Sequence, residues 1–597
     1  MKHEPQEFIP SPALTPEEKA LVPASDPLPM TAGEVARRGW PEVDVVLVTG
    51  DAYIDHPAFF TGRVARLLEA DGLRVAVLSQ PDARRHAAWT EFGRPRLGFC
   101  ITAGERDSML AHYTPDRHLR GDDPLTPGGK PGRRPDRATL AYAQRAREAY
   151  PDAVIVVAGV EAALRRFAHF DAWSDRVRRS ILIDAKAALL AYGSGEPALR
   201  EIYRRLDAGE RVTELRDIRG TAYRIAPDED LPEETESLRH LPSYEEVCGD
   251  RAKPEEDRRS KRLFAEMTRT ICANLDPESA KVLVQEHGLD AVAVNPPARP
   301  LAADETARIG ALPFTRKAHP SYGEEAIPAL GAEGDVLPCG EERDAPALAA
   351  AQYRAAGDMA RMLPPEMRES LRLPPAVADC GSDGECPESP TLIAGFPGFG
   401  YREAAELAAV MKATGIRPER ILDFVPLPSD AAGAVFWTGL DLETGKPVHV
   451  ARSMRERRLQ RVLFMFDNPA YYHDVKAALH EAGREDLIGT GPDALIPPHL
   501  SKAEHLRQSS RVRLLKRRQE REKEAKERTR QEYREREEAK RRKEAQKRKF
   551  GSRFRSRNPK DPRGAAPGKR SGFGGRPRKP GNSSRPPREN RPEEGEP

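Results

Sequence analysis

The run Ala153-Val-Ile-Val-Val-Ala158, followed at once by Gly159-Val-Glu-Ala-Ala-Leu-Arg-Arg-Phe-Ala-His-Phe-Asp-Ala-Trp-Ser-Asp-Arg-Val-Arg-Arg-Ser180, decides the fold. The first segment is short, apolar and β-branched, as a strand buried on both faces is. The second packs five arginines, a histidine, three acids and a tryptophan into 22 residues. A buried strand that empties into a charged loop is the signature of an α/β sheet whose site lies past its strand ends.

Working outward, the same pattern recurs. Asp44–Gly50, Arg74–Ser79, Leu97–Thr102 and Ala187–Tyr192 are further apolar runs, and Phe60–Gly72 and Glu196–Asp207 have helical spacing. Continuous apolar strands alternating with helices predict a parallel sheet covered on both faces. Residues 41–225 therefore read as an α/β, Rossmann-like doubly wound domain. Polar clusters follow each strand: Gly50-Asp-Ala-Tyr-Ile-Asp-His-Pro57, Ser79-Gln-Pro81, Thr102–Ser108, Gly159–Ser180 and Tyr192–Glu196. The candidate ligand residues are Asp51, Asp55 and Glu161 as acceptors, Arg165, Arg166, Arg178 and Arg179 as charge, and His56 or His169 as a titratable group. A small anionic or nucleotide-like ligand suits that set. The alternative is that strand-end loops are polar everywhere and that Arg165 and Arg166 merely pair with Asp171 and Asp175. The Gly- and Pro-rich stretch Pro127–Ala138 offers either an anion cradle of amides and arginines or a plain loop; it has no P-loop pattern.

Residues 226–330 read as a connector with helices over 253–275 and 278–287, ending in proline-pinned extended segments that wrap one domain against another. Residues 331–390 are rich in Ala, Glu and Pro and read as a poorly packed linker with a helix over 346–371. A second α/β segment occupies 391–500. It has strands at Thr391–Gly395 and Arg420–Pro426 and helices at 401–415, 456–466 and 473–482. Its tight loop, with Gly395, Gly398 and Gly400 at a helix N-terminus, can hold a phosphate or carboxylate.

Charge is strongly segregated. The last 97 residues carry 34 Lys and Arg against 15 Asp and Glu, a net of +19, which leaves −16 for the first 500. Residues 501–550 read as a solvated charged helix and 551–597 as a basic, disordered tail suited to RNA or the ribosome. Six scattered cysteines make no disulfide framework, and no apolar run approaches a membrane span. The expectation is a cytoplasmic protein with no membrane partner.

Long motifs carry a resemblance to a known family. They include Arg38-Gly-Trp40, Thr49–Pro57, Arg134-Pro-Asp-Arg137, Gly159–Ser180, Asn295-Pro-Pro297, Leu312–Tyr322, Asp423-Phe-Val-Pro-Leu-Pro428, Trp437–Asp441 and Glu481–Gly489. In this order they resemble the YgiQ-type family of radical S-adenosylmethionine (SAM) proteins. Residues 1–40, Pro-rich and polar, read as a partly ordered arm; the resemblance implies a domain similar to cobalamin-binding Rossmann domains, then a radical SAM β/α barrel. It also implies a Cys-x3-Cys-x2-Cys loop holding a 4Fe-4S cluster that cleaves SAM, with SAM contacts around Gly395–Gly400.

This chain has no such loop. No two cysteines stand at x3 or x2 spacing; Cys380 and Cys386 have five residues between them, and Cys339 lies some forty residues upstream. Those three are the remaining metal candidates, with unrelated free thiols as the alternative. Residues 331–390 then read as a linker replacing the cluster-binding part of the barrel, and 391–500 as a truncated barrel remnant. The Asp-x-His-x2-Gly cobalamin pattern is also absent: Asp55 and His56 are adjacent, and the next glycine is Gly62. The reading is a family member of unknown substrate that has lost iron–sulfur and SAM chemistry and keeps a ligand site in its first domain. The alternative is a non-enzymatic RNA- or ribosome-associated protein acting through its tail.

Overall fold

In the computed structural model, described residues are 26–193, 195–331, 334–337, 344–371 and 389–500. Strands are β1 (Val45–Thr49), β2 (Ile54–Asp55), β3 (Val75–Ser79), β4 (Gly98–Thr102), β5 (Ile155–Ala158), β6 (His169–Asp171), β7 (Arg176–Arg178), β8 (Leu189–Ala191), β9 (Thr221–Ile225), β10 (Leu238–His240), β11 (Val282–His287), β12 (Asp290–Val294), β13 (Lys317–Ala318), β14 (Thr391–Ala394) and β15 (Arg420–Asp423). Nine of them make one sheet in the order β10-β11-β12-β9-β8-β5-β4-β1-β3. The half from β3 to β8 is parallel throughout, whereas β9, β11 and β12 enter through antiparallel pairs. The fold is mixed α/β, built on a large, predominantly parallel sheet.

Side chains alternate across the sheet with the strand period of two. Val45, Leu47, Val75, Val77, Cys100 and Val156 share one core with the helices Phe60–Ala70 and Glu196–Asp207. Val46, Val48, Phe99, Ile101, Ile155 and Val157 face the other way, toward the helix Ala138–Ala149. That second core runs on into residues 391–496 through Phe170, which stacks on Trp437 at 4.6 Å between ring centres. Every residue of β1 and β5 is buried, which explains why these strands read as unbroken apolar runs.

Three expectations are corrected. Residues 278–287 do not form a helix; Val282–His287 is a strand paired with β12 across the turn Gly288–Leu289. Val282-Leu283-Val284 is a short apolar run, and the Gln285 that follows is buried with its side chain accepting from the Ala168 amide and donating to the Pro242 carbonyl, as a strand covered on both faces allows. Residues 226–330 are accordingly no mere connector, since β10, β11 and β12 complete the large sheet. The described part of 331–390 is well packed: the helix Ala345–Met362 buries Leu348, Ala351, Ala355, Ala356 and Met359. Its small alanines let it lie close against β14, so low bulk here signals tight packing rather than poor packing.

Residues 312–322 lie against the loops that follow β1 and β3. Lys317 and Ala318 pair with Asp55 and Ile54, and the Tyr322 hydroxyl accepts from the Tyr53 amide and donates to Ser79. The start of the described chain is pinned as well: the Val77 amide donates to the Pro29 carbonyl, and Thr31 and Glu34 form a capping box. The paired β14 and β15 form a separate parallel two-stranded sheet. Among described residues no helix is long and apolar enough to cross a membrane. The charged and basic segments expected at 501–597 lie outside the described residues, as do Cys339, Cys380 and Cys386.

Candidate functional site

The chain leaves β1 to pair with β3 on one side and returns to β4 on the other, so the crevice between the ends of β1 and β4 is the switch point where sheets of this kind bind ligands. Here the protein fills it. A Cβ at Gly50 would stand 2.2 Å from the Ala103 carbonyl oxygen, and one at Gly104 would meet the Asp51 carboxylate at 2.1 Å. Arg134, fully buried, bridges Asp51 at 2.6 Å and Asp123 at 2.8 Å. The guanidinium of the Pro127–Ala138 stretch thus serves an internal ion network, and that stretch is not an open anion cradle. Lys130, from the same stretch, pairs with Glu325.

Most of the remaining nominated residues are likewise engaged by the protein itself, some through ion pairs and others through main-chain groups. Asp55 accepts two hydrogen bonds from the buried Arg66, at 2.9 and 2.5 Å, and one from the Thr315 amide. His56 accepts from the Ala58 amide through Nδ1, and burial lowers its pKa. Glu161, fully buried, accepts from the Ser108 amide, the Ser108 hydroxyl and the Thr139 amide. Arg165 pairs with Asp107, not Asp171; Asp171 belongs to Arg137 and Asp175 to Arg251. Arg166 donates to the Ala163 carbonyl and lies over Tyr192. The ion pairs expected between Arg165 or Arg166 and Asp171 or Asp175 therefore do not form. The cause is the hairpin β6–β7, which turns the loop back on itself and takes Asp171 to Arg137.

Arg165, His169, Arg178 and Arg179 do converge, but on a space of about 10 Å³, no more than a water molecule needs. Arg178 and Arg179 share Asp184. Burial, with Arg165 beside it, pushes the His169 imidazole down to about 3, so it stays neutral. Near Asp51, burial and the neighbouring Asp51 charge push the Glu105 carboxyl up to about 8.

The Gly395–Gly400 loop is also self-satisfied. The amides of Gly395, Gly398 and Gly400 donate to Gln460, the His449 carbonyl and Glu403 respectively. Glu403 places its own carboxylate where an anion at the helix Tyr401–Thr414 would sit. Phe396 is buried against Phe399 and Phe424 and packs the core.

Open space lies elsewhere, between the strand-end loops after β4 and β5 and the second α/β segment. A cavity of about 390 Å³ is bounded by Arg117, Phe170, Trp173, Phe424, Phe436 and Arg457, among others. A second, of about 210 Å³, shares Pro115, Asp116, Trp173 and Val425 with it and reaches Asp423 and Arg461. The wall is held by Gln352, whose side-chain amide donates to the Val425 carbonyl and accepts from the Val425 amide. It thereby does the work of a neighbouring strand just past β15. Sequence reasoning missed Arg117, Arg452, Arg457 and Gln352. The available signal was Asp423–Pro428, whose Phe424 and Val425 line the cleft.

Among the described residues, which include Cys100, Cys248 and Cys272, the donor set does not fit a 4Fe-4S cluster. Cys100 lies in the sheet core, where burial pushes its thiol up to about 12, and the Cys272 thiol is raised to about 11 in the same way. Cluster ligands must be thiolates converging on one point, and no group of three His, Cys, Asp or Glu able to hold a metal occurs among described residues. The closed crevice at Gly50 and Ala103 likewise leaves no room for cobalamin there.

Residues 27–332 match the family described as Radical SAM N-terminal, and residues 419–563 match a domain of unknown function. The UPF0313 protein of Geobacter sulfurreducens is 34% identical over 591 aligned positions, covering 77% of this chain and 95% of that one. The UPF0313 protein of Methanocella arvoryzae is 32% identical over 600 positions, covering 79% and 98%. These matches define the class, radical SAM proteins of the YgiQ type. Within it, the chain belongs to the UPF0313 family. The alignment with the Geobacter protein uses 77% of 597 residues, about 460, so about 130 of its 591 positions stand opposite no residue of this chain.

Proposed function

We propose that this chain is a UPF0313 protein that has given up cluster and SAM chemistry and works as a ligand-binding protein. Its Rossmann-like first domain would keep a site beyond its strand ends, with the barrel remnant at 391–500 as the opposite wall. The observation that carries this reading is the cysteine pattern: six cysteines in 597 residues, none at the spacing a three-thiolate loop needs. The roughly 130 aligned positions that stand opposite no residue of this chain are consistent with it. Anaerobic reconstitution with iron and sulfide, followed by metal analysis and visible spectroscopy, tests it. The expected result is no stoichiometric iron and no thiolate-to-iron absorption. About four irons per chain would overturn it.

The +19 charge of residues 501–597 favours a second reading, binding of RNA or the ribosome through the tail. On this reading, deletion of 501–597 abolishes RNA retention, and retention by the full chain falls steeply with salt. Salt-insensitive retention by a chain lacking the tail would refute it.

A further inference from the structure

We infer that the cleft between the β6–β7 hairpin and the segment 420–457 binds a ring-bearing anion of mononucleotide size. Its larger chamber, about 390 Å³, falls in the range of small-ligand sites. The walls are aromatic: Phe170, Trp173, Phe424 and Phe436 all border it. Flat rings stack on such walls with little sequence of their own to read.

The charge in the cleft is what distinguishes it. Arg117, Arg452 and Arg457 border the chamber, and among described residues none has a carboxylate within 4.0 Å. Arg117 donates only to the Ala172 carbonyl, Arg452 to the Trp437 carbonyl, and Arg457 to the carbonyls of Ala451 and Phe424. A guanidinium has five N–H donors, so each keeps donors to spare. Carbonyls orient these groups without neutralising them, which leaves planar forks suited to phosphate or carboxylate. Two acids also line it, Asp175, which is matched by Arg251, and Asp116, so three arginines face one unmatched carboxylate. The net charge facing the chamber is therefore positive.

Backbone strain marks the same place. Seven described non-glycine residues have left-handed backbone, and two of them, Arg117 (φ 60°) and Asp175 (φ 50°), border this cleft. Such conformations cost free energy and concentrate where a site needs a side chain aimed against its preference. In the bound state the ring lies against Trp173 and the phosphate meets Arg117 and Arg457.

This inference goes beyond the reading above, and its test uses neither iron nor SAM, so the two fail separately. Isothermal titration of the full chain compares AMP with adenosine, which lacks the charge, and inorganic phosphate, which lacks the ring. AMP is expected to bind at least about tenfold more tightly than either and to weaken with added NaCl. Arg117→Ala and Arg457→Gln each lower AMP affinity at least about tenfold. Arg204→Ala, on the far helix Glu196–Asp207 and paired with Glu201, leaves it unchanged. Arg117 is exposed, so its variant keeps the test valid if Arg457→Gln fails to fold. No binding of AMP, GMP, CMP or UMP at millimolar concentration would overturn the inference, and so would AMP binding unaffected by Arg117→Ala.

Discussion

Two arginine clusters stand a short distance apart in this protein and behave in opposite ways. At the ends of β1, β4 and β5, Arg134 and Arg165 are buried and matched to Asp51, Asp123 and Asp107. Around the cleft, Arg117, Arg452 and Arg457 donate to main-chain carbonyls, and Arg452 and Arg457 also lie over the Phe436 ring. The first cluster was conspicuous in the sequence and proves to be scaffold. The second was inconspicuous and carries the uncompensated charge. Residue type does not separate them; compensation does: Arg134 and Arg165 sit beside carboxylates, whereas no described carboxylate stands within 4.0 Å of the cleft arginines.

The contrast can be broken most sharply at Arg134. Replacement by Met leaves Asp51 and Asp123 buried without their partner, and equilibrium unfolding in urea should show a loss of about 3–5 kcal/mol. Glu161→Ala strands the Ser108 and Thr139 amides and should cost about 2–3 kcal/mol in the same assay. Gly104→Ala puts a Cβ into the Asp51 carboxylate at a backbone of φ 105° and should cost about 1–3 kcal/mol, seen as a lowered melting temperature.

A subtler test is pH. Burial and the Asp51 charge raise the Glu105 carboxyl from its ordinary 4.5 to about 8. Between those values the folded chain keeps a proton that the unfolded chain has released. Stability therefore falls as pH rises through that window and levels off above about 8. Glu105→Gln should flatten the profile measured by urea unfolding across it; an unchanged slope would refute the assignment to Glu105. The smallest effect belongs to the cleft. Arg117→Ala should move stability by less than about 0.5 kcal/mol, since no buried partner is stranded. A large loss there would erase the difference between the two clusters.

The helix Glu196–Asp207 and the parallel strands were legible because a strand buried on both faces must be apolar throughout and an amphipathic helix must repeat near 3.6. The stretch 278–287 misled because the buried polar residues Gln285 and His287 break the apolar run that marks the other covered strands. The alternative pairing of Arg165 and Arg166 with Asp171 and Asp175 does not form, because sequence neighbours here are not spatial partners. The true partners of Arg165 and Asp175, namely Asp107 and Arg251, lie 58 and 76 residues away. Gln352 gave no signal at all: only the approach of its helix to Val425 makes its amide a substitute strand.

Sequence alone determined the family, the α/β alternation, the segregated charge and the missing cluster loop. Each is a property of residue order and composition, and none depends on which distant segments meet. Tertiary structure alone decided that the switch-point crevice is filled, that Arg165, Arg178 and Arg179 are matched to Asp107 and Asp184, and that open space with unmatched positive charge lies against the second segment. Burial and charge compensation arise between residues far apart in the chain, where desolvation makes every unpaired ion costly.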